Sequence, residues 1–248
     1  MKKMIFVMAA FSLLAFSLVS CGKDDTTDTT DTTVTPGGNT DPTTDPNYIP
    51  DGFVDLGLPS RLLWATCNLG ATAPEQYGDY YAWGETASKE IYTWATYVHC
   101  SGTSSEDMGA LLKYNTNGVY GAVDEKKTLE SSDDAATAVL GAGNRMPSQE
   151  DWQELLSQTT SEWTTVNDVR GRKFTSRTNG NTMFLPAAGY YGETVLSAVG
   201  DFGGYWSSSL YVDRPDGALF FRVTSSTADL TNRNRYFGQT VRAVRPRQ

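Results

Sequence analysis

From Asp51 to Gln248 the apolar and aromatic residues come in short runs separated by many Gly and Asn turns, and this spacing is what most limits the fold. Phe53-Val54-Asp55-Leu56 and Leu62-Leu63-Trp64-Ala65 predict an opening hairpin-like pair. Asp79-Tyr80-Tyr81-Ala82-Trp83 predicts a further extended segment, rich in strand-favouring aromatics. Two helices are expected. Asp133 and Asp134 place negative charge ahead of residues 135–140, where the helix dipole favours it, and Gly141 stops the run. Ser148 with Asp151 three residues on forms a capping pattern, and Trp152, Leu155 and Leu156 share one helical face as core. Later strands are expected at 163–166, 172–175, 182–185, 219–223 and 241–244. Helices in the first half and strands in the second favour an α+β fold over an alternating α/β one.

The N-terminus has a different character. Lys2 and Lys3 precede an apolar run from Met4 to Val19, too short for a comfortable membrane span and shaped like a signal peptide over residues 1–20. Leu18-Val19-Ser20-Cys21 resembles a lipobox, which makes Cys21 the expected lipidated first residue of the mature chain. More than one acyl chain there would anchor it stably to a membrane. Gly22-Lys23-Asp24-Asp25 resembles the short charged surface-export signal of lipoproteins from Bacteroides-like bacteria, so the expected location is the outer membrane, facing outward. Residues 21–50 are otherwise Thr, Asp, Pro, Gly and Asn. Such a segment cannot offset its ordering entropy by burial, and as a flexible tether it spans roughly 30 Å. Residues 51–248 form the one expected domain, which holds all six tryptophans.

A formal charge of −9 argues against a nucleic-acid partner. The C-terminal stretch breaks the trend, with seven arginines and three acids between Tyr205 and Gln248. Arg235, Arg242 and Arg245 are expected mostly to meet carboxylates or backbone carbonyls. Cys67 and Cys100 can be joined in one disulfide or stay two buried free thiols, and both readings stay open. His99 next to Cys100 is too few ligands for a metal, and no metal or cofactor is expected. No nucleophile elbow, zinc motif or P-loop is present, and the acid pairs Asp133/Asp134 and Glu150/Asp151 sit where capping explains them. The chain is therefore read as a non-enzyme, with a carbohydrate-active enzyme built from distant acids as the lesser alternative.

The residue strings Phe53-Val54-Asp55-Leu56-Gly57-Leu58-Pro59-Ser60, Leu63-Trp64-Ala65-Thr66-Cys67-Asn68-Leu69-Gly70-Ala71 and Tyr77-Gly78-Asp79-Tyr80-Tyr81-Ala82-Trp83-Gly84-Glu85 are followed by Arg145-Met146-Pro147-Ser148, Phe184-Leu185-Pro186-Ala187-Ala188-Gly189-Tyr190 and Gly204-Tyr205-Trp206-Ser207-Ser208-Ser209. In that order they resemble the Fibrobacter succinogenes major paralogous domain family across the domain. The resemblance implies a C-type-lectin-like fold, with its first and last strands paired and a long irregular loop region. Formylglycine-generating activity, found on the same fold, is not implied, since no cysteine follows Cys100. Nor is calcium-dependent sugar binding, since the nearest tripeptide to its motifs, Val166-Asn167-Asp168, lacks the tryptophan.

Residues 205–244 also resemble the variable segment of diversity-generating-retroelement target proteins. Trp206, Ser207, Ser208, Ala218, Ser225, Arg235, Tyr236, Gly238, Val241 and Arg242 fall at scaffold positions. The resemblance implies a ligand face at Val212, Arg214, Asp216, Leu219, Arg222, Thr224, Thr227, Leu230, Arg233, Asn234, Phe237 and Gln239. Strand alternation supports it in part, placing Phe221 and Val223 inward and Phe220, Arg222 and Thr224 outward. The opposing reading is a solvated strand followed by a polar turn at Thr231-Asn232-Arg233-Asn234. The expected function is a surface-displayed lipoprotein that binds a protein or glycan ligand, as an adhesin or a pilus-tip component. The alternative is an envelope subunit that packs against pilus subunits without a ligand face of its own.

Overall fold

Leu62, Leu63, Trp64 and Ala65 are all buried, so strand β2 (Leu62–Ala65) has no solvent face and needs a partner on both sides. Strand β1 (Phe53–Asp55) pairs along one side and β11 (Val244–Pro246) along the other, both antiparallel, with Val54 and Val244 each opposite Trp64. The last strand therefore joins the N-terminal hairpin through its second strand rather than its first. Residues 241–243, expected to be strand, instead lead into β11 as extended chain. The computed structural model describes residues 48–247. The signal peptide, Cys21 and the tether up to residue 47 lie outside them.

After β2 the described chain runs to residue 134 through short 3-10 turns and isolated bridges. The aromatic segment expected as a strand at 79–83 is one of these pieces, bridged only at Tyr81 to Gln239. Helix α1 (Ala135–Leu140) starts on Asp134, whose carboxylate accepts from the Ala136 and Thr137 amides and also from Met146 N. Helix α2 (Gln149–Gln158) starts on the expected capping box of Ser148 and Asp151. Its Trp152 stacks on Phe221, ring centroids 4.4 Å apart and 5° from parallel. Among the described residues no helix is long and apolar enough to cross a membrane.

The remaining strands form antiparallel sheets. One holds β3 (Thr159–Val166), β4 (Val169–Ser176) and β5 (Thr182–Pro186) in sequence order. Its first hairpin turns on Asn167 and Asp168, both at positive φ (47° and 63°), the geometry of a two-residue type I′ turn. The tripeptide nearest to a sugar motif is thus a turn. A small hairpin joins β6 (Tyr190–Gly192) to β7 (Val195–Ser197). The third sheet is β8 (Phe202–Leu210), β9 (Gly217–Thr224) and β10 (Ala228–Asn234), with β9 central. Two helices beside antiparallel sheets make the fold α+β.

Three apolar clusters fill the domain. Leu56, Trp64, Trp152, Phe174, Phe221 and Val223 form one, and Trp83, Tyr114, Trp206, Phe220 and Val241 another. Phe220 is therefore an interior residue, 2% exposed, and the expectation that it faces outward is corrected. Strand β9 is covered on both faces, so alternation sends Phe220 and Phe221 into different clusters rather than one to water. The third cluster, in the loop region, gathers Tyr80, Tyr92, Trp94, Tyr97 and Cys100.

The disulfide reading is also corrected. Cys67 and Cys100 are free. Cys100 is buried and donates to the carbonyls of Trp94 and Tyr97, and burial pushes its thiol pKa up. Cys67 is half-buried and lines a separate cleft with Phe53 and Asn68. The sequence pattern could not tell that one lies in the loop-region cluster and the other on a separate cleft.

Two buried cations hold the C-terminal segment inside. Arg242, fully buried, donates to Asn68 Oδ1, Ala65 O and Phe184 O, each at 3.0 Å. Arg235, equally buried, donates from Nη1 to the carbonyls of Lys113 and Tyr114. Both follow the expected pairing with backbone carbonyls. Arg242→Ala would take a donor from each of those acceptors. It is expected to lower the unfolding free energy by roughly 3 kcal/mol, read by urea denaturation. His99, the chain's single histidine, sits between the Tyr97 and Tyr114 rings with Nε2 at 2.9 Å from Gly84 O. Burial is the main cause that lowers its pKa, and Arg235 and Lys113 add to it against the opposing pull of Gly84 O and Asp133. The unfolded chain therefore takes up this proton more readily than the native one. Stability is expected to fall as the pH drops below the ordinary imidazole pKa of about 6.5. Melting curves between pH 7.5 and 5.5 should show this slope, and His99→Gln should flatten it.

Candidate binding face

Antiparallel register decides which of the twelve expected ligand residues can share a surface. Gly204 lies opposite Arg222, and Arg222 opposite Asp229; Trp206 lies opposite Phe220, and Ala218 opposite Arg233. Paired residues point to the same side, so one face of this sheet carries Phe202, Gly204, Arg222, Thr224, Asp229, Thr231 and Arg233. Leu219 and Leu230 belong to the other face, where Leu230 packs on the Trp152 cluster. Asn234 ends β10 on that same side, half-buried. Val212, Arg214 and Asp216 are in the turn between β8 and β9, where Arg214 Nη2 meets Asp216 Oδ2 at 2.8 Å. The twelve positions therefore do not make one patch.

Thr224 ends β9 and Thr227 precedes β10, so the two flank the turn between these strands. Thr224 Oγ1 accepts from Thr227 N, and the two hydroxyls are 2.9 Å apart. Arg222 is a satisfied cation. Its Nε and Nη2 donate to the two oxygens of Asp229 at 2.8 and 2.6 Å, a bidentate pair that raises the Arg222 pKa.

Arg233 is different. Its guanidinium carbon lies 3.8 Å from the Tyr190 ring centroid, 5.0 Å from Phe237, 5.2 Å from Phe202 and 5.4 Å from Phe220. No carboxylate among the described residues pairs with it, and its Nη1 is buried without an acceptor. Burial lowers its pKa, while the Tyr190 hydroxyl pulls the other way. The polar turn expected at 231–234 is in fact the end of β10, and this is what aims Arg233 across the sheet at those rings. An edge strand tolerates such polar residues because one side of its backbone and half its side chains stay near water.

Phe237 stacks on Tyr236 at 4.5 Å and meets Tyr190 edge-on at 5.8 Å, so a half-buried aromatic group frames the arginine. Gly192 makes room for it, since a Cβ there would come within 2.9 Å of the Phe237 ring. Gln239 is inside rather than on the surface. Its backbone exchanges hydrogen bonds with Tyr81, its side chain is 0% exposed, and neither Oε1 nor Nε2 has a partner among the described residues. The amide lies over Gly204, where a Cβ would sit 2.1 Å from Oε1 and 2.9 Å from the Phe202 ring. Asp216 is likewise buried, with Oδ1 unpartnered. Sequence reasoning thus named Arg233, Phe237 and Gln239 but missed Tyr190, Phe202 and Gly204. The run of aromatics at 190–191 and 202 is the signal that could have found them.

Other concave regions are simpler. One, of about 610 Å³, is lined by Asp79, Lys89, Glu90, Tyr80, Tyr92 and Tyr191. A smaller one beside His99 contains Asp133, whose Oδ2 is already taken by Lys113 and Tyr114. Among the described residues no three His, Cys, Asp or Glu side chains are grouped to hold a metal ion. Gly204→Ala is expected to cost about 1–3 kcal/mol in thermal unfolding, because the new methyl overlaps the Gln239 amide, and Gln239→Ala in the same chain should recover most of it. Compared with protein-family models, curated proteins and solved structures, the chain matches none.

Proposed function

We propose that this chain is a surface-displayed lipoprotein whose C-type-lectin-like domain binds a ligand through the face around Arg233. The observation that carries the reading is the state of that arginine. Its guanidinium is largely withdrawn from water among four rings, yet no carboxylate of the described residues pairs with it. A cation kept in that state costs stability, and a partner that brings the missing acceptor would recover the cost on binding. Arginine and aromatic side chains are also the residue types that dominate binding hot spots. The long loop region, and a sheet joining the N-terminal hairpin to the last strand, support the lectin-like assignment.

The remainder of the proposal draws on the sequence. Signal peptide, Cys21 and acidic tether describe an outward display device on the outer membrane, and the sequence carries no catalytic motif that would compete with adhesion as its purpose. A retroelement-diversified adhesin would leave a second copy of the last forty-odd codons beside a reverse transcriptase gene, differing only at adenines. On an array of glycans and host proteins, the full-length chain is expected to give discrete signals. Arg233→Ala or Phe237→Ala should weaken them by about tenfold or more, and Arg214→Ala, in the separate turn, should not. A blank array for wild type and variants alike would remove the ligand-face reading.

A further inference from the structure

We infer that the ligand held at Arg233 is an acidic saccharide, bound through its carboxylate; the inference rests on the proposed ligand face and specifies its chemistry. Three features of the site select this class. The guanidinium needs an anion, and a planar carboxylate fits its fork with two parallel hydrogen bonds. Tyr190, Tyr236 and Phe237 are half-exposed rings beside it, flat surfaces suited to the C–H faces of a sugar. Gln239 offers a donor and an acceptor that are both unused, which matches a hydroxyl that accepts and donates at once. Phe202, the half-exposed ring that shares the space over Gly204 with this amide, is the side chain that must swing aside to admit it.

An acidic peptide would also satisfy the arginine, but the site suits it less well. Extended peptides gain affinity from main-chain hydrogen bonds along a sheet edge. Arg233 belongs to the edge strand β10, but its side chain stands on the sheet face, over the rings of Tyr190, Phe202 and Phe237, rather than along the free backbone edge. The local charge agrees with an anion, since residues 205–248 hold seven arginines but only three of the chain's 29 acids. Arg222 is already neutralised by Asp229 and Arg214 by Asp216, which leaves Arg233 as the receptor on this face.

The test is titration calorimetry of the full-length protein in detergent. The probes are oligosaccharides of glucuronic, galacturonic and N-acetylneuraminic acid, each with its carboxyl-reduced neutral counterpart, and an oligoglutamate peptide. At least one acidic saccharide is expected to bind, its reduced form about tenfold more weakly or worse, and Arg233→Gln should lose a similar factor. Arg233→Gln should not change affinity for the reduced form, and near-ultraviolet circular dichroism should confirm that the variant is folded. Gln239→Leu separates binding from packing. It should raise the melting temperature by removing an unsatisfied buried amide while weakening the saccharide. If no acidic saccharide binds, or if a reduced form binds as well as its parent, the inference is overturned. Oligoglutamate binding that depends on Arg233, without saccharide binding, also overturns it while leaving the ligand face in place. Silence from every probe here and on the array removes both.

Discussion

The Arg242 guanidinium holds together parts of the chain that no sheet connects. It reaches Ala65 O at the end of β2, Asn68 in the following loop and Phe184 O in β5, so two segments more than a hundred residues apart converge with the C-terminal chain on one fully buried cation. No carboxylate takes part. Carbonyl dipoles and one amide spread the stabilisation over several acceptors, the arrangement in which a planar donor fork does best. Asn68 is itself fixed, since its Nδ2 donates to Tyr77 O. The irregular loop region is thereby tied to the sheet beneath it. Neighbouring backbone adds to this, with Leu69 N bonded to Val241 O and Ala65 N to Ala243 O. Residues 238–244 run as an interior spine, and Arg233 on β10 and the half-buried Phe237 come just before it.

Against this frame the arginines of one short stretch have different fates, set by what each can reach. Arg242 and Arg235 find carbonyls because the spine and the chain just before it pass between loops that present them. Arg222 finds Asp229 because antiparallel register places them opposite each other. Arg233 lies opposite Ala218, which has nothing to offer, and its long side chain crosses to the rings of Tyr190, Phe202 and Phe237. Cation–π contact in a partly dry setting stabilises it by about 2 kcal/mol, less than the desolvation of an unpaired charge costs. The imbalance is local and concerns an atom, Nη1, that lacks an acceptor.

Both helices were legible in the sequence because capping is local chemistry. Asp134 and Ser148 with Asp151 mark their starts within a turn or less, and the structure uses those same side chains. Parts of strands β3, β4 and β5 were legible from their aromatic and β-branched runs, although their pairing was not. Strand β10 was not. Ala228-Asp229-Leu230-Thr231-Asn232-Arg233-Asn234 has poor strand propensity, and only its seven-pair ladder with β9 makes it a strand. Phe220 failed for a related reason. Alternation says that neighbours point to opposite sides, but it cannot say that both sides are covered. The free cysteines and the inward Gln239 depend on which loops meet, and spacing along the chain carries no record of that.

The burial of the scaffold and ligand positions bears on how freely this face can vary. Trp206, Ser207, Ser208, Ala218, Arg235, Val241 and Arg242 are interior. Gln239 and Asp216 are interior too, although both were grouped with the ligand positions. A substitution at Gln239 is felt by Gly204 and Phe202, and one at Asp216 releases Arg214. Val212 and Arg214 are exposed and can change at little cost to packing. Arg233 and Phe237 lie between these extremes, in contact with the core aromatics but open on one side. At positions of that kind a change of side chain alters the exposed surface while the ladders of β8, β9 and β10 keep it in place.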